Sequence, residues 1–207
     1  MWQCEGSKCP GPDGFNFDFI RKSWVYIKDE FVKAMALFHE TGSIPKECNA
    51  SFIGLVPKIK NPSKLEQYRP ISLVGAIYKV ISKVLAGRIK KVLSFVVDES
   101  QSAFLKGIGI LDSVLMANEA IEDLRRCGRS ELCLKVDFEK AYDSVRWEFL
   151  YDMLYKLGFH SKWVMWMRGC LESATVLVLV NGSPTEEFKP TRGLRQGVAC
   201  PFSFLLW

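Results

Sequence analysis

Asp137 and Asp143 stand six positions apart in the stretch KVDFEKAYDSV, residues 135–145, just after the apolar run Leu132–Val136. A carboxylate is a hard oxygen donor. Delivered at the C-terminal end of a strand and held by the helix that follows, it suits a hard cation such as Mg²⁺. Plainer roles are open to the same residues. Asp137 could be a turn residue, and Asp143, with Ser144 beside it, could cap the following helix. The partners of these carboxylates decide between the two.

Several elements must position that stretch. From Phe15 to Glu40, Phe19, Ile20, Trp24, Ile27, Phe31, Met35 and Phe38 recur at helical spacing, which predicts one amphipathic helix stopped by Gly42 and Pro45. SFIGLVPKIKNPSK predicts a short strand followed by a basic loop, broken by Pro57 and Pro62. Ile71–Val97 carries Ile77, Ile81, Leu85, Ile89, Val92 and Val96 on one face and a set of lysines and arginines on the other, predicting one helix or two in tandem. A further helix is expected over Ile110–Arg125, and a strand over Leu132–Val136 that runs into Asp137. Ser144 is placed to cap a helix ending at Gly158, and Ser161 to cap one reaching about Leu171. The β-branched run before Asn181-Gly182 signals a hairpin.

Composition narrows the function classes. The chain has 207 residues, 48% hydrophobic and 25% charged, which is ordinary globular material and argues against a disordered chain. A net charge of +5 permits a phosphate-rich partner without requiring one. Seven cysteines with no C-x-x-C pair, and two histidines, argue for reduced thiols and against a zinc site or a disulfide frame. No signal pattern opens the chain and no apolar run approaches the ~18 residues of a membrane helix, so the expected compartment is cytoplasmic or nuclear.

The set D-x-x-x-A-Y-D formed by Asp137, Ala141, Tyr142 and Asp143 resembles the first catalytic motif of reverse transcriptases. Other blocks match in order: PGPDG at 10–14, YRPISL at 68–73, DESQSAF at 98–104, NGSP at 181–184 and RGLRQG at 192–197. Together they resemble the non-LTR (LINE-type) retrotransposon reverse transcriptases, especially the plant branch, over almost the whole chain. The resemblance implies an α+β right-hand polymerase fold, partial here, with helical fingers, an incomplete palm sheet and no thumb. Residues 1–12 are then a residual upstream linker, 13–100 a fingers-like region, and 101–207 fingers and palm cut before the second catalytic motif.

The resemblance also assigns roles. Asp137 would ligate Mg²⁺, with the main-chain carbonyl of Phe138 as a further oxygen, for two-metal nucleotidyl transfer. Tyr142 would be the sugar gate, its ring leaving no room for a ribose hydroxyl. Arg69 and Lys79 would meet the triphosphate, the first with paired N–H donors and the second with a point charge. Gln196 and Gly197 would line the pocket beside the nascent base pair, where glycine permits close backbone approach. The implied partners are an RNA template, a DNA primer and deoxynucleoside triphosphates. The plainer alternatives are a buried aromatic for Tyr142, solvated surface positions for Arg69 and Lys79, and a polar loop for RGLRQG.

Departures from the family pattern are equally specific. Gly107-Ile108 stands where the family has Gly-Arg, and Val198-Ala199-Cys200-Pro201 replaces a D-P-L-S-P or D-P-L-A-P continuation, one residue shorter and without the aspartate. No adjacent Asp pair occurs in the 207 residues. The expectation is a reverse transcriptase fragment that is inactive as it stands. A non-catalytic nucleic-acid-binding remnant and an inert product of a decayed element are the alternatives.

Overall fold

The computed structural model describes residue 2 and residues 4–96, 110–128 and 140–196. Asp137, Phe138, Gly197, the DESQSAF block, Gly107-Ile108, the expected strand 132–136 and the segment 198–201 lie outside the described residues.

The N-terminal helical region is two helices, α1 (Phe17–Lys22) and α2 (Trp24–Thr41), where periodicity predicts one. Asn16 caps α1, its side-chain oxygen accepting from the Phe19 N–H at 2.9 Å. Ser23 leaves the helical region (φ −89°, ψ 5°) and both ends α1 and opens α2, so the apolar spacing persists across a break that periodicity cannot register. Gly42 ends α2 in the left-handed conformation (φ 70°), with its N–H on the Phe38 carbonyl at 2.8 Å.

Four strands form a mixed sheet in the order β2-β1-β3-β4. The strands are β1 (Ala50–Pro57), β2 (Tyr68–Val74), β3 (Thr175–Val180) and β4 (Ser183–Pro184). β1 is antiparallel to β2 with Ile53 opposite Ser72, and parallel to β3 with Ala50 opposite Thr175. The expected hairpin joins β3 to β4 through Asn181 (φ 51°) and Gly182 (φ 81°), the pair of positive φ angles that a type I′ turn demands.

The helix expected from Ile71 is corrected. Residues 71–74 belong to β2, and α3 runs Ala76–Ile89, followed by the short α4 (Leu93–Val96). Ile71, Leu73 and Val74 fit a strand pleat as well as a helix face, and pairing with β1 decides the matter. A remote residue sets the helix start: the Asp13 carboxylate accepts from the Ala76 N–H at 2.6 Å, satisfying one of the orphan donors of α3. The PGPDG block thus lies on the N-terminal end of α3. A Cβ at Gly11 would fall 2.3 Å from the Val74 carbonyl carbon, so only glycine permits that approach.

The remaining helices are α5 (Ile110–Arg126), α6 (Ala141–Ser144), α7 (Trp147–Lys156) and α8 (Ser161–Glu172). The main core joins α3 (Tyr78, Ile81, Leu85, Ile89) to α7 (Leu150, Leu154) and α8 (Val164, Met167). Leu150 and Leu154 are fully buried, each worth about 1.5–3 kcal/mol of transfer free energy. Two expected caps are corrected. His160, not Ser161, caps α8 and accepts from the Lys162 N–H on Nδ1 at 3.1 Å. The N-cap of α7 is Arg146; Ser144 ends α6 instead, its hydroxyl donating back one turn to the Lys140 carbonyl at 3.0 Å.

Candidate active site

The two most informative motifs meet. Tyr142 and Asp143 lie in α6, and Arg192–Gln196 form a loop laid against the 142–147 segment. Gly193 N–H donates to the Val145 carbonyl at 2.8 Å, and Leu194 N–H to the Tyr142 carbonyl at 2.6 Å. The Trp147 indole N–H returns a bond to the Gly193 carbonyl at 2.9 Å. Gly193 adopts φ 83°, and a Cβ there would fall 2.8 Å from the Asp143 carbonyl oxygen, so the first glycine of RGLRQG is a steric requirement.

Gln196 closes the arrangement. Its side-chain amide donates to Asp143 Oδ1 at 3.1 Å, and its carbonyl accepts from the Ser72 N–H of β2 at 3.0 Å. Asp143 therefore faces the RGLRQG loop and does not cap α7, a correction to the capping expectation. Pro70, Ser72, Asp143, Arg192 and Gln196 are among the residues around a small cleft of about 160 Å³. The Tyr142 ring is half-buried against the main core.

Arg195 anchors the loop from behind. Its Nη1 donates to Asn49 Oδ1 at 2.6 Å and its Nη2 to the Asn49 carbonyl at 2.5 Å, while its guanidinium lies 4.4 Å from the centre of the Tyr78 ring. Asn49 is completely buried and spends its amide on the Cys170 carbonyl (3.2 Å) and Ser173 Oγ (2.6 Å). Neither Asn49 nor Arg195 stands out in the sequence. The one available signal for Arg195 is its place inside the RGLRQG block.

The two expected phosphate ligands are not part of this cleft. Alternation along β2 sends Arg69 to the face opposite Pro70 and Ser72, where it is exposed. Lys79, on α3, donates from Nζ to the Cys9 carbonyl at 2.7 Å. Burial lowers its pKa, and the Asp13 carboxylate opposes that shift. The structure thus brings Asp143 and Gln196 together at the cleft, packs the Tyr142 ring against the main core with its carbonyl on the loop, and leaves Arg69 and Lys79 apart from them. Among the described residues, no group of three or more His, Cys, Asp or Glu side chains could hold a metal ion.

Comparison with known proteins gives this geometry its context. The chain is 31% identical over 201 residues to the transposon TX1 uncharacterized 149 kDa protein of Xenopus laevis, covering 97% of this chain and 15% of that one. It is 26% identical over 191 residues to the retrovirus-related Pol polyprotein from type-2 retrotransposable element R2DM of Drosophila melanogaster, covering 92% of this chain and 18% of that one. An R2 Pol polyprotein of Popillia japonica is 26% identical over 200 residues, which are 94% of this chain and 27% of that one. The chain thus spans under a third of the length of each. Residues 56–206 match the family model described as reverse transcriptase (RNA-dependent DNA polymerase). With the two motifs packed together in a helical framework around a mixed sheet, the chain belongs to the reverse transcriptase family, in its non-LTR retrotransposon branch, and carries part of the right-hand polymerase fold.

Proposed function

We propose that this chain supplies the nucleotide-entry part of an RNA-directed DNA polymerase site, acting on an RNA template, a DNA primer and deoxynucleoside triphosphates. One observation carries the reading. Gln196 bridges Asp143 and the Ser72 backbone beside Tyr142, so the RGLRQG loop, the D-x-x-x-A-Y-D motif and the YRPISL strand converge on one cleft. In this reading Tyr142 bounds the sugar, and Gln196, with Gly197 after it, bounds the base pair. Arg69 and Lys79 reach the triphosphate only if nucleotide binding rearranges the fingers.

Asp137 and the Phe138 carbonyl are hard oxygen donors that fit Mg²⁺. Bound there, Mg²⁺ would activate the primer hydroxyl and neutralise charge on the leaving pyrophosphate. One carboxylate does not hold two such ions against their mutual repulsion, and the described residues offer no cluster of three His, Cys, Asp or Glu side chains to share them.

The test is primer extension on an RNA template by this chain joined to the continuation of an R2 relative. Extension should require Mg²⁺ and should be lost in Asp137→Asn. Extension by the 207-residue polypeptide alone, indifferent to Asp137→Asn, overturns the proposal. A second reading, nucleic-acid binding without catalysis, is favoured by the exposed cations Arg88, Lys90, Lys91 and Lys162, none of which forms an ion pair among the described residues. Its mark is a steep loss of binding with salt and no synthesis after the extension.

A further inference from the structure

A second hollow, of about 410 Å³, lies between the C-terminal end of α3 and the α7–α8 turn, and the catalytic reading does not use it. Its lining includes Arg88, Ile89, Val92, Leu157, Phe159 and Trp163. We propose that this hollow takes an unpaired nucleobase of a single nucleic-acid strand, with the adjoining phosphates on the basic rim. The inference rests on the nucleic-acid binding proposed above and adds to it a defined place for one base.

Three independent features support the assignment. Flat aromatic surface is the first: Phe159 and Trp163 stack with ring centres 5.8 Å apart and planes 30° apart, and both are half-buried, so they are held in place while part of each stays accessible. Base stacking on such rings is indifferent to sequence because every base has a π-face.

The second is charge. Arg88 is on the rim, Lys90 and Lys91 occupy the turn between the lining residues Ile89 and Val92, and Lys162 follows the lining residue His160 by two positions. Arg88 and Lys162 approach the same Trp166 ring, at 5.4 and 5.8 Å from its centre, which brings cations from two different helices to one spot. All four are exposed, so a phosphate backbone would meet charge that no carboxylate among the described residues has neutralised.

The third is an unused donor. The Trp163 indole N–H is buried and has no acceptor among the described residues. The N–H is closed off as the ring stands, and a turn of the ring would bring it to the hollow, where it fits a ligand carrying carbonyl or ring-nitrogen acceptors, as bases do, better than a purely apolar one. On His160, Nδ1 is already accepting from the Lys162 N–H, so the neutral ring carries its proton on Nε2.

Fluorescence anisotropy of the whole polypeptide with a single-stranded RNA, the matching DNA, and a strand of equal charge with abasic positions tests the assignment. Intact strands should bind at least about five-fold more tightly than the abasic strand, as one stacked base requires. Phe159→Leu should remove that difference, and Arg88→Gln or Lys162→Gln should weaken intact strands and flatten their salt dependence. The glutamine variants alter exposed residues, so the test survives if Phe159→Leu does not fold. A preference for RNA or for DNA identifies the strand, and either one supports the pocket. Equal affinity for intact and abasic strands, unchanged in these variants, overturns the pocket and leaves the polymerase reading standing. Failure to bind any strand at low salt overturns the pocket together with the nucleic-acid-binding reading on which it rests.

Discussion

Arg195 grips Asn49 with both terminal nitrogens, one on the side-chain oxygen at 2.6 Å and one on the main-chain oxygen at 2.5 Å. The fork ties the RGLRQG loop to the residue just before β1. Asn49 in turn holds the C-terminal end of α8 through Cys170 and Ser173. A loop that must present Gln196 is thus fixed to the sheet and to a helix by one buried amide.

Arg195→Lys should therefore be a poor exchange. A lysine keeps the charge but loses the paired donors and the flat face over Tyr78, and about 2 kcal/mol of stability should go with them. Asn49→Ala leaves Nη2 on the main-chain carbonyl but takes the acceptor from Nη1 and the amide from Cys170 and Ser173, and should cost about 3 kcal/mol. Urea denaturation followed by circular dichroism measures both. Equal stability of Arg195→Lys and the parent would show that the fork is ornamental.

Two glycines with nearly the same backbone separate strain from contact. Gly158 (φ 80°) has nothing within 4 Å of an added Cβ, so Gly158→Ala should cost only the left-handed conformation, about 1 kcal/mol. Gly193 (φ 83°) would also drive that Cβ to 2.8 Å from the Asp143 carbonyl oxygen, and Gly193→Ala should lose about 2 kcal/mol more. Thermal melts of the two variants give the difference directly, and melts that coincide would refute the contact.

The helix termini show what was legible in the sequence and what was not. The apolar faces of α2 and α3, the extent of α5, and the Asn181-Gly182 turn follow from local periodicity and local backbone demand, and they form as expected. β2 was hidden because Ile71, Leu73 and Val74 satisfy either period until β1 lies beside them. Residue type places the caps one or two positions away from the true ones because Ser144 and Ser161 are good capping types at positions that are already helical. At the site, the quoted motifs single out Tyr142 and Gln196 and give Asp143 no more than a capping role, whereas Asn49 matters only through contacts with residues more than a hundred positions away. Such long-range partners leave no trace in spacing.

Ser144→Ala and His160→Ala follow from the corrected caps. Ser144 donates within α6, so its loss should change stability by less than about 0.5 kcal/mol. His160 supplies the acceptor at the start of α8, and alanine there should cost about 0.5–1 kcal/mol. Chemical denaturation that ranks Ser144→Ala as the costlier change would restore Ser144 as the cap.

The Tyr142 ring is tested by size. If it bounds the sugar, Tyr142→Val in the chain joined to an R2 continuation should admit ribonucleotides, because exclusion comes from the aromatic face. Competition between ribo- and deoxynucleotides in primer extension measures this. Discrimination that survives the substitution would assign the half-buried ring to the core alone.

Gln196 allows the side-chain contact to be separated from the backbone one. Gln196→Ala removes the amide that reaches Asp143 but keeps the carbonyl that receives the Ser72 N–H, so folding should change by less than about 1 kcal/mol, the net worth of one accessible hydrogen bond. Gln196→Glu is the sharper variant, since it sets a second carboxylate where the amide stood, 3.1 Å from Asp143 Oδ1. Two like charges so placed raise the folded pKa of one of them above its unfolded value of about 4. A carboxylate raised in this way destabilises the fold at neutral pH, and the penalty fades as pH falls through the raised value and the pair takes up a shared proton. Gln196→Glu should thus be less stable than Gln196→Ala at pH 7 and approach it near pH 4. Denaturation midpoints compared at the two pH values decide the matter: a gap that does not narrow on acidification would mean that Gln196 and Asp143 are not in contact in solution.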